Sequence, residues 1–153
     1  MTSSGTAERF GPERFAGVPA DEATVGEVMH PGVIFCAPES PVRHVAGLMA
    51  RYRVHAVVVL GDDEEGGLWG IVSDSDLASV IARRELDEHT AGSMARTPLV
   101  TVCRSDSIAH AAELMCEHRV AHLLVVVRRR PVGVVSTLDL ARAAAEELDS
   151  TAA

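Results

Sequence analysis

The chain has 153 residues, of which 47% are hydrophobic, 24% charged and 3% aromatic, and its formal net charge is −8. Such a chain folds as one compact domain or two small ones around an aliphatic core. An acidic chain repels the nucleic-acid backbone, and so few aromatics exclude a stacking platform for single strands.

Residues 1–20 are rich in Gly, Pro, Ser and charge and show no period, so they are expected to form a flexible tail. Patterned sequence starts at Asp21 with the opening Thr24-Val25-Gly26-Glu27-Val28-Met29. An extended run over 33–36 is predicted next. Apolar residues at Val42, Val45, Ala46 and Met49, spaced i, i+3, i+4, i+7, then mark one buried stripe of a helix. Ser40, ahead of Pro41, is placed to cap that helix. Ala56-Val57-Val58-Val59-Leu60 has no polar alternation and reads as a strand buried on both faces. A turn over 61–67 carries the solvated charge run Asp62-Asp63-Glu64-Glu65, and a second strand over 68–72 leads into a helix that opens at Ser73.

The second half repeats the first. Ser40-Pro41-Val42-Arg43-His44-Val45-Ala46-Gly47-Leu48-Met49 recurs, at a constant offset, as Asp106-Ser107-Ile108-Ala109-His110-Ala111-Ala112-Glu113-Leu114-Met115. Asp106 takes the capping place, and Ile108, Ala111, Ala112 and Met115 repeat the stripe. An extended run over 99–103, a buried strand over 123–127, a turn over 128–131, a strand over 132–135 and a helix opening at Ser136 complete the copy. The fold class is therefore α/β (α+β), built from two β-α-β-β-α repeats. They divide the chain into 1–20 (tail), 21–86 (first repeat), 87–149 (second repeat) and 150–153 (C-terminal tail).

Both copies carry Gly-apolar-apolar-Ser-x-x-Asp at their last strand-to-helix junction: Gly70 to Asp76 and Gly133 to Asp139. Two readings of it stand side by side. Ser-x-x-Asp before an apolar run is a capping box, with Ser73 and Ser136 as N-caps, and needs no ligand. The same helix N-terminus also offers free N–H groups and partial positive charge to a phosphate, with the Ser hydroxyl joining in. An Asp one turn further on can accept hydrogen bonds from a ribose diol. Gly70 and Gly133 would let a ligand or a neighbouring backbone approach closely.

The tandem units, the paired motifs and the openings Thr24 to Met29 and Thr90-Ala91-Gly92-Ser93-Met94 resemble a cystathionine-β-synthase (CBS) domain pair, a Bateman module, over about residues 22–147. The resemblance implies a pseudo-twofold pair of units with a cleft on each side, where members bind AMP, ADP, ATP or S-adenosylmethionine. It places Ser73 and Ser136 on phosphate, Asp76 and Asp139 on ribose hydroxyls, and the backbone around Ile34 and Val100 beside adenine. It also implies a homodimer that reports to a regulated protein by contact.

Strong phosphate binders of the family carry two basic residues before the buried strand, then Leu-Pro. Here His55-Ala56 and Ala121-His122 each keep one histidine, and Val58 and Leu124 stand where the proline would be. The phosphate end is thus less basic, and His55 and His122 are its candidate contacts.

No metal site is expected, since Cys116, Glu117 and His118 are consecutive helix positions that point apart and His122 lies beyond that helix. A Gly-x-Ser-x-Gly elbow, a P-loop and a dinucleotide-binding glycine pattern are absent, so no enzyme is expected and no cofactor is required. Cys36, Cys103 and Cys116, odd in number and without CxxC spacing, are expected as buried reduced thiols. No apolar run nears the about 20 residues of a membrane span, and no signal-peptide core is seen, so the expected setting is cytoplasmic, with no membrane or nucleic-acid partner. The richness in Ala, Val, Arg and Gly is compatible with a high-GC bacterial source. Two functions follow: an adenosine-ligand sensor, or a ligand-free dimerisation or protein-interaction module whose motifs are only caps.

Overall fold

The computed structural model describes residues 23–61 and 67–152, the side chains of 68, 69 and 147–152 apart. The expected N-terminal tail and the charge run Asp62-Asp63-Glu64-Glu65 lie outside the described residues. The elements in chain order are α1 (Val25–Val28), β1 (His30–Pro31), β2 (Phe35–Cys36), α2 (Val42–Tyr52), β3 (Ala56–Leu60), β4 (Leu68–Ser73), α3 (Asp74–Ala82), α4 (Ala91–Met94), β5 (Thr101–Cys103), α5 (Ile108–His118), β6 (His122–Val127), β7 (Arg130–Ser136) and α6 (Thr137–Ala152). The α+β class and both β-α-β-β-α units are present. Helix α6 runs on through 150–152, which the sequence assigns to a tail.

The described chain forms two compact units. One comprises Val33–Leu99. Its sheet runs β2-β3-β4, with β2 parallel to β3 (Phe35 opposite Val58) and β3 antiparallel to β4 (Ala56 opposite Ser73). Parallel neighbours need a crossover, and α2 supplies it. Its stripe of Val42, Val45 and Met49 is buried, and Val57, Val59, Val72, Cys36 and Ala91 join Val45 and Met49 in the core. Residues 56–59 are all buried, as an unbroken apolar run demands.

The other unit joins the segment ending at Gly32 to the residues from Val100 onwards. Its sheet runs β1-β7-β6-β5, with β5 parallel to β6 and the other pairs antiparallel. Ile108, Ala111 and Met115 of α5 pack with Leu123, Val125, Val135 and Ala143, and with Val25 and Val28 of α1.

The openings of the two repeats are exchanged between the units. Val25 N–H donates to Asp106 O (2.8 Å) and Ile108 N–H to Ala23 O (2.9 Å), so the first opening caps the second repeat's helix. Ala91 N–H donates to Ser40 O (2.8 Å) and Gly92 N–H to Pro38 O (2.7 Å), so the second opening serves the first repeat. A repeat in perfect register looks the same under either pairing, which is why the sequence divided the chain in plain order.

Two local expectations are corrected. The N-caps are Pro41 and Ser107, one residue beyond Ser40 and Asp106; Ser107 Oγ accepts from His110 N–H, while Asp106 Oδ2 accepts from Cys103 N–H. Of the cysteines only Cys36 is buried, and burial pushes its thiol pKa up. Cys103 and Cys116 are exposed: each sits beside a buried residue, Val102 in a strand and Met115 in a helix, and neighbours in either element point away from one another.

Candidate functional site

The two Ser-x-x-Asp motifs sit at the β4–α3 and β7–α6 junctions, and both are capping boxes. Ser73 is the N-cap of α3, with extended backbone (φ −100°, ψ 165°). Its N–H and its Oγ both donate to Asp76 Oδ2, each at 2.9 Å, and its Oγ accepts from Asp76 N–H at 3.3 Å. Ser136 repeats the set with Asp139: N–H to Oδ2 at 2.8 Å, Oγ to Oδ2 at 3.1 Å, and Asp139 N–H to Ser136 Oγ at 3.3 Å. In each motif one carboxylate oxygen is thus spent on the cap, and Oδ1 is left to face elsewhere.

What faces it comes from the opening segments. In the unit of Val33–Leu99, Arg96 pairs with Ile71 of β4 and its Nε donates to Asp76 Oδ1 at 3.0 Å. In the other unit His30 pairs with Val134 of β7, and its Nδ1 lies 3.0 Å from Asp139 Oδ1. The Asp139 side chain is fully buried, and its Oδ1 receives no directed hydrogen bond, so the His30 approach has the distance of an ion pair without the alignment of a bond. Neither Arg96 nor His30 was among the residues singled out from sequence. Each is the second residue after its opening helix, α4 or α1, and a basic residue at that matching step was the available signal.

The motif glycines explain how these residues arrive. A Cβ on Gly70 would lie 2.7 Å from the carbonyl oxygen of Arg96, and one on Gly133 would collide with that of His30. The backbone of the opening segment thus makes the close approach that each glycine permits.

The remaining candidates are scattered around the motifs. Ile34 and Val100 are half-buried, and their carbonyls accept from Val58 N–H (2.9 Å) and Leu124 N–H (3.2 Å), which holds them beside the buried strands. His55 is exposed and its Nδ1 is 2.9 Å from Asp74 Oδ2, in the first turn of α3. His122 is half-buried and lies directly opposite Ser136 in the β6–β7 register, the place that Ala56 holds opposite Ser73. The two histidines therefore occupy different seats, and only His122 stands opposite the motif serine. Among the described residues no three His, Cys, Asp or Glu side chains gather as a metal site, and no helix is long and apolar enough to cross a membrane.

Comparison with known proteins bears on these motifs. The family profile described as the CBS domain matches residues 25–83 and again 91–146. Hypoxic response protein 1 of Mycobacterium tuberculosis is 30% identical over 121 residues, covering 78% of this chain and 83% of that protein. A crystal structure of Hypoxic Response Protein I with two coordinated zinc ions aligns at TM-score 0.62 and 29% identity, over 78% of this chain and 98% of the other. The CBS domain protein PAE2072 from Pyrobaculum aerophilum, complexed with AMP, aligns at TM-score 0.69 and 28% identity, over 86% of this chain and all of the other.

Proposed function

This chain belongs to the CBS-domain family as a tandem pair, and we propose that it is a regulatory module that senses an adenosine-containing small molecule and is not itself a catalyst. The observation that carries this reading is the buried Asp139 carboxylate at the start of α6, whose Oδ1 receives no directed hydrogen bond. A buried acceptor without a donor is costly, and a ligand hydroxyl would satisfy it. A ribose diol supplies such hydroxyls. The AMP complex of a relative that aligns over its whole length supports the same choice of ligand class.

In this reading Ser73 and Ser136 present their hydroxyls and the adjacent helix N-termini to phosphate. Asp76 and Asp139 offer Oδ1 to the ribose, at one motif or both. Ile34 and Val100 flank the base. His55 and His122 stand at the phosphate end, and Gly70 and Gly133 serve by admitting the opening segments. The ligand is AMP, ADP, ATP or S-adenosylmethionine, taken up in a cytoplasmic setting. Binding shifts the population of conformers or of a homodimer, which a regulated protein reads by contact.

A thermal-shift series with AMP, ADP, ATP, NAD and S-adenosylmethionine at about 1 mM tests this. A ligand with Kd tenfold or more below that concentration adds roughly 1.4 kcal/mol or more and raises the melting temperature by several degrees. The shift is expected to be selective and to vanish in the Asp76→Ala, Asp139→Ala double variant. No shift with any of them overturns the reading in favour of a ligand-free interaction module, in which the two capping boxes are the whole role of the motifs.

A further inference from the structure

We propose that the two motifs are unequal, with Asp139 the carboxylate that takes the ligand's hydroxyl pair and Asp76 closed to it by Arg96. This rests on the adenosine-sensing reading and decides where in the chain it applies.

The oxygen at issue is Oδ1 in both motifs, since Oδ2 is committed to the cap. The seats facing it correspond. Arg96 and His30 hold the same step after their opening helices, and their strand partners, Ile71 and Val134, each directly follow the motif glycine. One seat holds a guanidinium and the other an imidazole. Arg96 Nε makes a directed, charge-assisted bond of 3.0 Å to Asp76 Oδ1, so both oxygens of that carboxylate are satisfied by the protein. A charge-assisted bond is roughly twice as strong as a neutral one, and a guanidinium stays charged at every working pH. A hydroxyl pair that replaced it would still bond to the carboxylate but would give up the ion pair with the guanidinium.

At Asp139 the balance is reversed. The side chain is 0% exposed against 12% for Asp76, so an unsatisfied oxygen there costs more. His30 stands at 3.0 Å without a directed bond to Oδ1. A hydroxyl donating to Asp139 Oδ1 adds a hydrogen bond where the protein supplies none. The two side chains are similarly exposed, His30 at 50% and Arg96 at 54%, so exposure does not separate the two seats.

Isothermal titration of the whole chain with AMP, ATP and S-adenosylmethionine in turn reads the number of sites. The wild type is expected to take one equivalent, Asp139→Asn none, and Arg96→Gln two, because removing the guanidinium reopens Asp76. Arg96 is half-exposed and outside the core, so its variant reads the second site even if Asp139→Asn does not fold. Two equivalents in the wild type, or one equivalent kept in Asp139→Asn and lost in Asp76→Asn, overturns the asymmetry and leaves the sensing reading intact. No binding by either the wild type or Arg96→Gln overturns the sensing reading, and the asymmetry with it.

Discussion

The Cβ that Gly70 lacks would lie 2.7 Å from the carbonyl oxygen of Arg96. The contact is with backbone that is itself fixed: Ile71 N–H donates to Arg96 O at 3.2 Å, and Arg96 N–H to Ile71 O at 2.9 Å. A methyl group at Gly70 must therefore push the opening segment off the sheet. Gly70→Ala and Gly133→Ala are each expected to destabilise by about 1–3 kcal/mol, as overpacking does, which lowers the melting temperature by several degrees. Gly47 is the control: it is exposed in α2, and an added Cβ meets nothing within 4 Å. Gly47→Ala should stabilise by about 0.5–1 kcal/mol, because glycine is a poor helix residue. Equal effects at Gly47 and Gly70 would show that the sheet yields without cost.

The helix caps separate two positions that the repeat makes look alike. Ser107 Oγ accepts from His110 N–H at 3.1 Å, whereas Ser40 uses only its backbone, donating to Ala37 O and accepting from Ala91 N–H. Ser107→Ala is expected to cost about 0.5–2 kcal/mol, and Ser40→Ala less than about 0.5 kcal/mol, as a surface change does. Urea midpoints of the two variants give the comparison. A larger loss at Ser40 would return the cap of α2 to the position its sequence suggests.

These outcomes bear on what the residues reveal before folding. The stripes Val42-Val45-Met49 and Ile108-Ala111-Met115 and the unbroken run 56–59 state their burial directly, because period and polarity are local properties. The capping boxes were legible for the same reason, since Ser and Asp three apart act within one helical turn. The pairing of Arg96 with Asp76 and of His30 with Asp139 was not. It depends on strand pairing between an opening segment and a sheet distant from it in sequence, and no local period records which sheet that is. Pro41 shows a finer failure. Its extended backbone, φ −61° and ψ 148°, takes the N-cap place itself, one residue past the serine, and the helix starts at Val42.

The exposed pair Arg43–Asp87 sets an expected acid dependence. Arg43 donates from Nε and Nη2 to the two oxygens of Asp87, a bidentate arrangement with the Nη2 bond at 3.0 Å. That hydrogen bonding, and then the charge of Arg43, holds the Asp87 carboxyl below its ordinary range. Hydrogen bonding from His89, and then the charges of Arg83 and His89, lowers Glu85 in the same way. A carboxyl whose pKa is depressed by folding contributes stability above its unfolded value, and the contribution is lost as the pH falls through the folded value. Asp87→Asn should therefore be slightly less stable than the wild type at pH 7, with the gap closing as the pH drops below about 4. Both groups are exposed, so 1 M salt should also narrow the gap. Urea midpoints between pH 7 and pH 3 measure it, and a gap independent of both pH and salt would mean that the pair acts through packing alone.

The β6–β7 hairpin carries the last expected effect. Val127 pairs with Arg130, so only Arg128 and Arg129 form the loop, and both have positive φ, 50° and 66°. A two-residue loop of that kind favours Asn-Gly, since a side chain in the left-handed region costs roughly 1–2 kcal/mol and glycine avoids most of it. Replacing Arg128 by Asn and Arg129 by Gly is expected to raise the urea midpoint by the equivalent of about 1 kcal/mol with an unchanged slope. The substitution also removes two positive charges from a chain of net charge −8, which acts in the opposite direction through self-repulsion. Replacing both arginines by Gln isolates that term, because it removes the same charges and keeps the strained backbone. The Asn-Gly variant should then exceed the Gln-Gln variant by more than it exceeds the wild type. If the two variants match, the loop holds its left-handed backbone without cost, and the stability of the hairpin is set by the buried strand residues Leu123 to Val125 alone.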